Sequence, residues 1–293
     1  MDVTLLGSGG NFPIPMPTCD CRICVEARER GLPFSREGNA TFVHDAKALV
    51  DAPEAIWRML NRERIADVEY VFVSHHHSDH VRGLRVVQAL GREGFPMSDW
   101  EKENPPTIVV SENTYQLLRR AHGIVADYED WGFAEFAFLN DGETMDCNGV
   151  EVTCCGWEME PGGENLIFGF QFDDGESKTL VTPDETKFLD TDRLPSDLDL
   201  WVRECGLFRT GPDGNPVFGD DLWEAETELE ITFEETVEQV RDVRPARTVL
   251  TEIDELFRRS YDDFRELEGE YDELNLRFGH DGMEISNRVD ALE

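Results

Sequence analysis

The stretch Val73–Leu84, VSHHHSDHVRGL, decides how this chain is read: four of its seven histidines and one aspartate fall between His75 and His80. An exposed loop can carry clustered polar residues without any duty, so the flanks matter. Upstream, DVEYVFV is a short β-branched and aromatic run of the kind that forms a buried strand. Downstream, VRGLRVVQAL spaces Val81, Leu84, Val87 and Leu90 as on a helix. The cluster therefore sits in a strand-to-helix loop. On an extended exit from the strand, side chains alternate, which places His75 and His77 together and His76 opposite. Asp79 and His80 follow at the turn and face a second point close by. Imidazole and carboxylate in one loop are a donor set for zinc, iron or manganese.

Working outward, the pattern alternates strands with helices. NATFVHDAKALVDAP reads as two strands meeting at a turn near Asp45, followed by a helix from Ala55 to Arg62. TIVVS is a buried strand, and ENTYQLLRRAHG a helix closed by Gly123, with His122 explained by the helix dipole. GVEVTCCGW, LIFGFQFDD, KTLVTPD, LDLWVREC and RTVLTEI are further strands. FEETVEQVRDV and YDDFRELEGEY are helices. No repeat of fixed period and no low-complexity linker interrupts residues 1–293, which read as a single domain. The glycine turn Gly7-Ser8-Gly9-Gly10 lacks the third glycine and the helix of a dinucleotide fingerprint, since Phe12 and prolines at 13, 15 and 17 follow.

The charge is lopsided. Sixty-three acidic residues against 27 basic ones give −36, and only four of the basic residues are lysine: Lys47, Lys102, Lys178 and Lys187. Such a surface suits a high-salt interior, where screening contracts to about 3 Å at 1 M, so a halophilic source is expected. A nucleic-acid partner is not, because phosphate contacts need Lys or Arg. The N-terminus MDVTLLGSGG has no signal-type apolar region and no run reaches membrane-spanning length, so a cytoplasmic protein without membrane contact is expected. Cys147, Cys154, Cys155 and Cys205 read as core thiols. Cys19-x-Cys21-x-x-Cys24 is most of a structural zinc site, which wants four ligands.

These pieces resemble a known family. His75-x-His77-x-Asp79-His80 after a hydrophobic strand is similar to the metal-binding motif of the metallo-β-lactamase superfamily. The stretch LLGSGGNFPIPMPTCDCRIC, with LVTPDET and GHDGMEIS, resembles its cyclic-phosphate phosphodiesterase branch. The resemblance runs from Leu5 to Ser286. It implies an α+β fold, an αββα sandwich, with Asp51 a polar core residue near the site. It also implies two metals: His75 and His77 on the first, Asp79 and His80 on the second, and Asp184 bridging.

The second half of the sequence departs from that family. Where a histidine should follow VEVTCC, the chain reads GWEMEPGGEN, offering Glu158, Glu160 or Glu164. Where the family has Leu-Thr-His-Ile-Ser-His, it reads LTEIDE, with Glu252 in the metal position and Asp254 or Glu255 left to complete the zinc site of Cys19, Cys21 and Cys24, Glu255 being the choice adopted. The leaving-group histidine is replaced near Glu230. Carboxylates suit manganese or iron better than histidine does, so the expected cofactors are one or two ions of zinc, manganese or iron, plus one structural zinc.

The function expected is metal-dependent hydrolysis of a small or cyclic phosphate diester, with Asp79, Asp184 and Glu230 as catalytic residues and a small phosphate ester as partner; a homodimer is allowed for. The alternatives are thioester hydrolysis, RNA 3′-end processing, or a non-catalytic metal-binding protein with a partly decayed site.

Overall fold

The computed structural model describes residues 1–91 and 104–286. Its strands in chain order are β1 Asp2–Gly7, β2 Ala40–Val43, β3 Ala48–Val50, β4 Tyr70–Phe72, β5 Thr107–Val110, β6 Glu135–Phe138, β7 Thr144–Cys147, β8 Val150–Glu158, β9 Leu166–Asp173, β10 Lys178–Thr182, β11 Leu200–Glu204, β12 Thr248–Thr251, β13 Leu276–Phe278 and β14 Met283–Ser286. They form two seven-stranded sheets, β14-β1-β2-β3-β4-β5-β6 and β13-β12-β11-β10-β9-β8-β7. Each sheet is antiparallel through its first three pairings from one edge and parallel through the other three.

The inner faces meet in one core. Phe72 of β4 packs on Phe170 and Phe172 of β9, ring centroids 4.9 and 5.7 Å apart, with Val50, Val109, Val181, Val202 and Val249 in the same cluster. Each such ring, fully buried, contributes about 1.5–3 kcal/mol of transfer free energy. Helices cover the outer faces. Ile56–Arg62 places Ile56, Met59 and Leu60 on the first sheet, and Phe233–Val243 packs Phe233 and Val237 with Leu250 of the second. This is the α+β sandwich that the resemblance implies.

Two local readings change. The stretch after the histidines is a four-residue helix, Ser78–Val81, then a 3₁₀ turn, Leu84–Gln88, rather than one continuous helix. Gly83 breaks it by running against Ala52 and Pro53, where an added Cβ would stand 2.0 Å from the Pro53 carbonyl oxygen. The helix Glu112–Ala121 ends at His122, not Gly123. The turn of the His122 ring onto the His76 carbonyl, Nε2 to O 3.1 Å, ties that helix end to the histidine loop.

Candidate metal centre

All the candidate groups lie where parallel strands end. β3 exits into Asp51, β4 into Ser74 and His75, β10 into Asp184 and Glu185, β11 ends in Glu204, and β12 exits into Glu252. Carboxyl ends of parallel strands are the usual place for a site in such sheets, since the following loops are free to carry chemistry while the strands hold them in register.

In the first sheet the histidine loop is tightly bound. Asp51, buried and in left-handed backbone at φ 60°, accepts hydrogen bonds from the Ser74 amide (2.9 Å) and hydroxyl (2.7 Å), and its Oδ2 lies 2.8 Å from His80 Nδ1. That contact fixes the His80 ring and aims Nε2 into the site, an arrangement typical of metal-bound imidazoles. Ser74 Oγ does the same for His75 Nδ1 at 3.0 Å. The buried Nε2 atoms of His75 and His80 find no hydrogen-bond partner. His75 Nε2 is 3.7 Å from Asp184 Oδ2, and His80 Nε2 is 3.4 Å from both Asp184 Oδ2 and Asp79 Oδ2.

The ligand atoms sort into two groups, each within 4.8 Å internally: His75, His77, Asp184 and Glu185 in one, Asp79, His80 and Glu252 in the other. His76 belongs to neither. The sequence expectation for six residues, His75, His77, Asp79, His80, Asp184 and Glu252, thus meets a structure that brings all six together. One member was missed. Glu158, Glu160 and Glu164 do not join either group; Glu158 Oε2 instead accepts the Gly162 amide at 2.8 Å. In their place Glu185 sets Oε1 3.3 Å from His77 Nδ1. The acid after Asp184 in TPDET was in plain view, but adjacent residues on an extended chain point apart. Only the left-handed turn at Glu185, φ 49°, brings both carboxyl groups to one place.

Above these groups opens a cleft of about 440 Å³, lined by Asp79, Asp184, Glu185, Glu204, Glu226, Glu230, Glu252 and Asp254, and walled by Phe12, Leu207, Phe218, Leu222 and Phe257. Among the described residues that line it there is no lysine or arginine. Burial and the neighbouring Asp184 and Glu230 charges push the Glu185 carboxyl up to about 10. Burial with Asp184 and Glu204 lifts Glu230 to about 9. Glu252 is driven well above the carboxylate range by burial and Asp184. Burial works against charge on His80, but Asp51, Asp184 and Asp79 overcome it and hold the ring well above the usual histidine range. Carboxylates so crowded need either protons or cations between them. Two buried imidazole nitrogens without partners, facing that crowd, are donors suited to a divalent ion.

The glycine turn is part of the floor. Ser8 O accepts from Ile253 N at 3.0 Å, and Phe12 N donates to Asp254 Oδ1 at 2.8 Å. A Cβ on Gly10 would meet Asp254 Oδ1 at 2.6 Å and Glu252 Oε2 at 2.7 Å, so a side chain there would displace these carboxylates. Asp281 of GHDGMEIS anchors the same turn by accepting from the Ser8 amide and hydroxyl, at 3.0 and 2.9 Å. Because Asp254 is engaged with Phe12, the residue that closes the cysteine triplet is Glu255. Its Oε1 lies 3.5, 2.8 and 3.6 Å from the sulfurs of Cys19, Cys21 and Cys24. Cys21 also caps the helix Arg22–Arg30, which orients Cys24. Cys147, Cys154 and Cys205 are buried and Cys155 half-buried, as core thiols would be.

No helix among the described residues is long and apolar enough to cross a membrane. The fold is similar to that of a diphosphatase from the PhnP family, at 20% identity over 97% of this chain and 96% of that one, TM-score 0.70. It is also similar to zinc-bound PqqB from Methylobacterium extorquens, at 16% identity over 98% of this chain and 100% of that one, TM-score 0.69. The short form of human tRNase Z follows at 15% identity, over 99% and 100%, TM-score 0.64. Among curated proteins no sequence matches significantly. The profile of the beta-lactamase superfamily domain matches residues 45–253. That match takes in more than half of the sequence and spans His75 through Glu252, and on this ground the chain belongs to the beta-lactamase superfamily of metal-dependent hydrolases.

Proposed function

We propose that the protein is a metal-dependent phosphodiesterase acting on a small or cyclic phosphate diester. The observation that carries this reading is the pair of adjacent ligand groups on the cleft floor, with Asp184 Oδ2 of the first group 3.7 Å from His75 Nε2 and 3.4 Å from His80 Nε2 of the second. Their expected ligands, His75, His77 and Asp184 beside Asp79, His80 and Glu252, would hold one or two divalent ions, zinc, manganese or iron. Such ions, when bound, supply Lewis-acid stabilisation of developing charge and a strong nucleophile at neutral pH. The chain's own contribution is orientation and proton handling. Asp51 and Ser74 lock the imidazoles. Glu230, at the cleft wall and held protonated near neutrality by burial and its acidic neighbours, is placed to hand a proton to a departing alkoxide. The acidic cleft also favours a small ester over RNA, whose backbone it would repel.

The test is turnover of bis(p-nitrophenyl) phosphate in molar salt with zinc, manganese or iron added. The reading expects hydrolysis of this ester, and with a dialkyl or cyclic phosphate diester, whose alkoxide leaving group needs a proton, it expects Glu230→Gln to lose the alkaline limb of the pH profile and roughly 10²-fold of rate. Absence of turnover with all three metals would overturn it in favour of a non-catalytic metal-binding protein.

The cysteine group is proposed to hold one structural zinc through Cys19, Cys21, Cys24 and Glu255. Such a closed four-ligand site acts through stability rather than chemistry. Cys21→Ser is expected to remove one zinc equivalent and lower the melting temperature; unchanged zinc content would show that these thiols only pack.

A further inference from the structure

We infer that Glu185 is a metal ligand of the first ion site, recruited from the turn after β10 to do what a residue from the loop after β8 was expected to do. The inference rests on the metal-centre reading above, and not on the identity of the substrate.

Four observations carry it. First, two ligands of one tetrahedral ion at about 2.1 Å stand roughly 3.4 Å apart. Glu185 Oε1 is 3.3 Å from His77 Nδ1, and His75 Nε2 is 3.7 Å from Asp184 Oδ2. All four donor atoms fit within 4.8 Å of one another. Second, the fully buried His75 Nε2 faces this group without a hydrogen-bond partner, which is costly unless something else satisfies it.

Third, the backbone of Glu185 is held in place at a conformational cost. Its φ of 49° is left-handed, an uncommon conformation for a glutamate. The surroundings hold it from both sides. Trp157 Nε1 donates to the Glu185 carbonyl at 2.7 Å, and the next residue, Thr186, donates from both its amide and its hydroxyl to the buried Glu204 carboxylate. Arg203, fully buried, adds a bond from Nη2 to Thr186 Oγ1 at 2.7 Å. A surface acid has no need of such a clamp.

Fourth, Trp157 lies at the end of β8, where the ligand was expected to follow. That strand end therefore acts through Glu185, its indole fixing the carbonyl while the carboxylate reaches His77. Trp157 is a positioning residue, and the loop Glu158–Glu164 is released from ligand duty. With Glu252 in the other group, each group then includes a glutamate, a harder donor set than imidazole alone.

The experiment counts ions rather than turnovers. Wild type and variants are purified in molar salt, their metal content is measured by mass spectrometry, and manganese is titrated by electron paramagnetic resonance. Glu185→Gln keeps the shape and removes the charge. It is expected to lose one equivalent, or to weaken the first manganese at least tenfold. Glu185→His, a second variant in case the first is poorly folded, is expected to bind zinc more tightly relative to manganese. Trp157→Phe is expected to weaken manganese less than Glu185→Gln does and to alter its spectrum, a change that loss of packing alone would not produce. Glu158→Gln and Glu160→Gln are expected to match wild type. Wild-type ion content and affinity in Glu185→Gln would overturn the assignment, as would loss of an ion in Glu158→Gln or Glu160→Gln. A wild type that holds an ion only at the cysteines would overturn it as well. A two-ion protein without phosphodiester turnover would sink the substrate reading and leave this one standing.

Discussion

The loop after β4 and the loops after β10, β11 and β12 occupy equivalent places in the two sheets, yet they meet the site with opposite chemistry. The first brings three imidazoles and Asp79 from one contiguous stretch, and the rings of His75 and His80 are pinned by Ser74 and Asp51. The second brings Asp184, Glu185, Glu204 and Glu252 from the ends of three separate strands, with Glu185 and Glu252 in left-handed backbone. One side is built mainly of imidazoles and is preorganised by the bonds that hold His75 and His80. The other is a set of carboxylates that repel one another until a cation or protons intervene. The difference teaches that, on the proposed reading, carboxylates from separate strand ends can be gathered at one point that a single contiguous loop supplies with imidazoles.

The comparison breaks most visibly if the histidine side is not the ligand side. His77→Ala and Asp79→Ala are each expected to cost on the order of 10³-fold or more in turnover and to lose bound metal, exceeding the 10–100-fold typical of residues that only orient ligands. His76→Ala, whose ring joins neither group, should stay near wild type. Equal losses in all three would mean that the loop matters for folding and not for coordination.

A smaller effect sharpens the same point. Asp51→Ala removes the partner of His80 Nδ1 and of Ser74, so metal affinity should fall about 10–100-fold. Isothermal titration of manganese reads this directly, and an unchanged affinity would show that the His80 ring needs no such anchor.

The smallest effect tests the carboxylate side through pH. In chelated protein Glu204 and Asp254, lifted by burial to about 7, and Glu230, lifted to about 9, have folded pKa values above their ordinary ones. Their contribution to stability is therefore fully present below the ordinary carboxyl range and is lost as pH rises through 7 and then 9. The melting temperature of the chelated protein is expected to drop by roughly 5 °C between pH 5 and 9, about 1–2 kcal/mol for a chain of this size. Saturating manganese should flatten the slope, and parallel curves with and without the ion would argue against carboxylates gathered around a cation.

What could be read in advance follows the same division. His75, His77, Asp79 and His80 were legible because they are contiguous and flanked by an unmistakable strand. Asp184 and Glu252 were legible only through family resemblance, which also led toward Glu158, Glu160 and Glu164 and away from Glu185. The short helix after His77 was overestimated because its apolar spacing continues past Gly83, while the close approach to Pro53 that ends it is a contact between distant segments.

Periodicity, strand-forming runs and the histidine string belong to short windows of sequence, and those windows by themselves determined the alternation of elements, the donor-rich loop and the strongly acidic charge. Only the tertiary structure decided which acid among 63 stands beside His77, and it set the expected Glu255 against the cysteines by engaging Asp254 with Phe12. The physical reason is that coordination depends on distances of a few ångströms between chain segments up to about 230 residues apart, and on left-handed turns held by Trp157 and Glu204, neither of which leaves a local signal in the order of the residues.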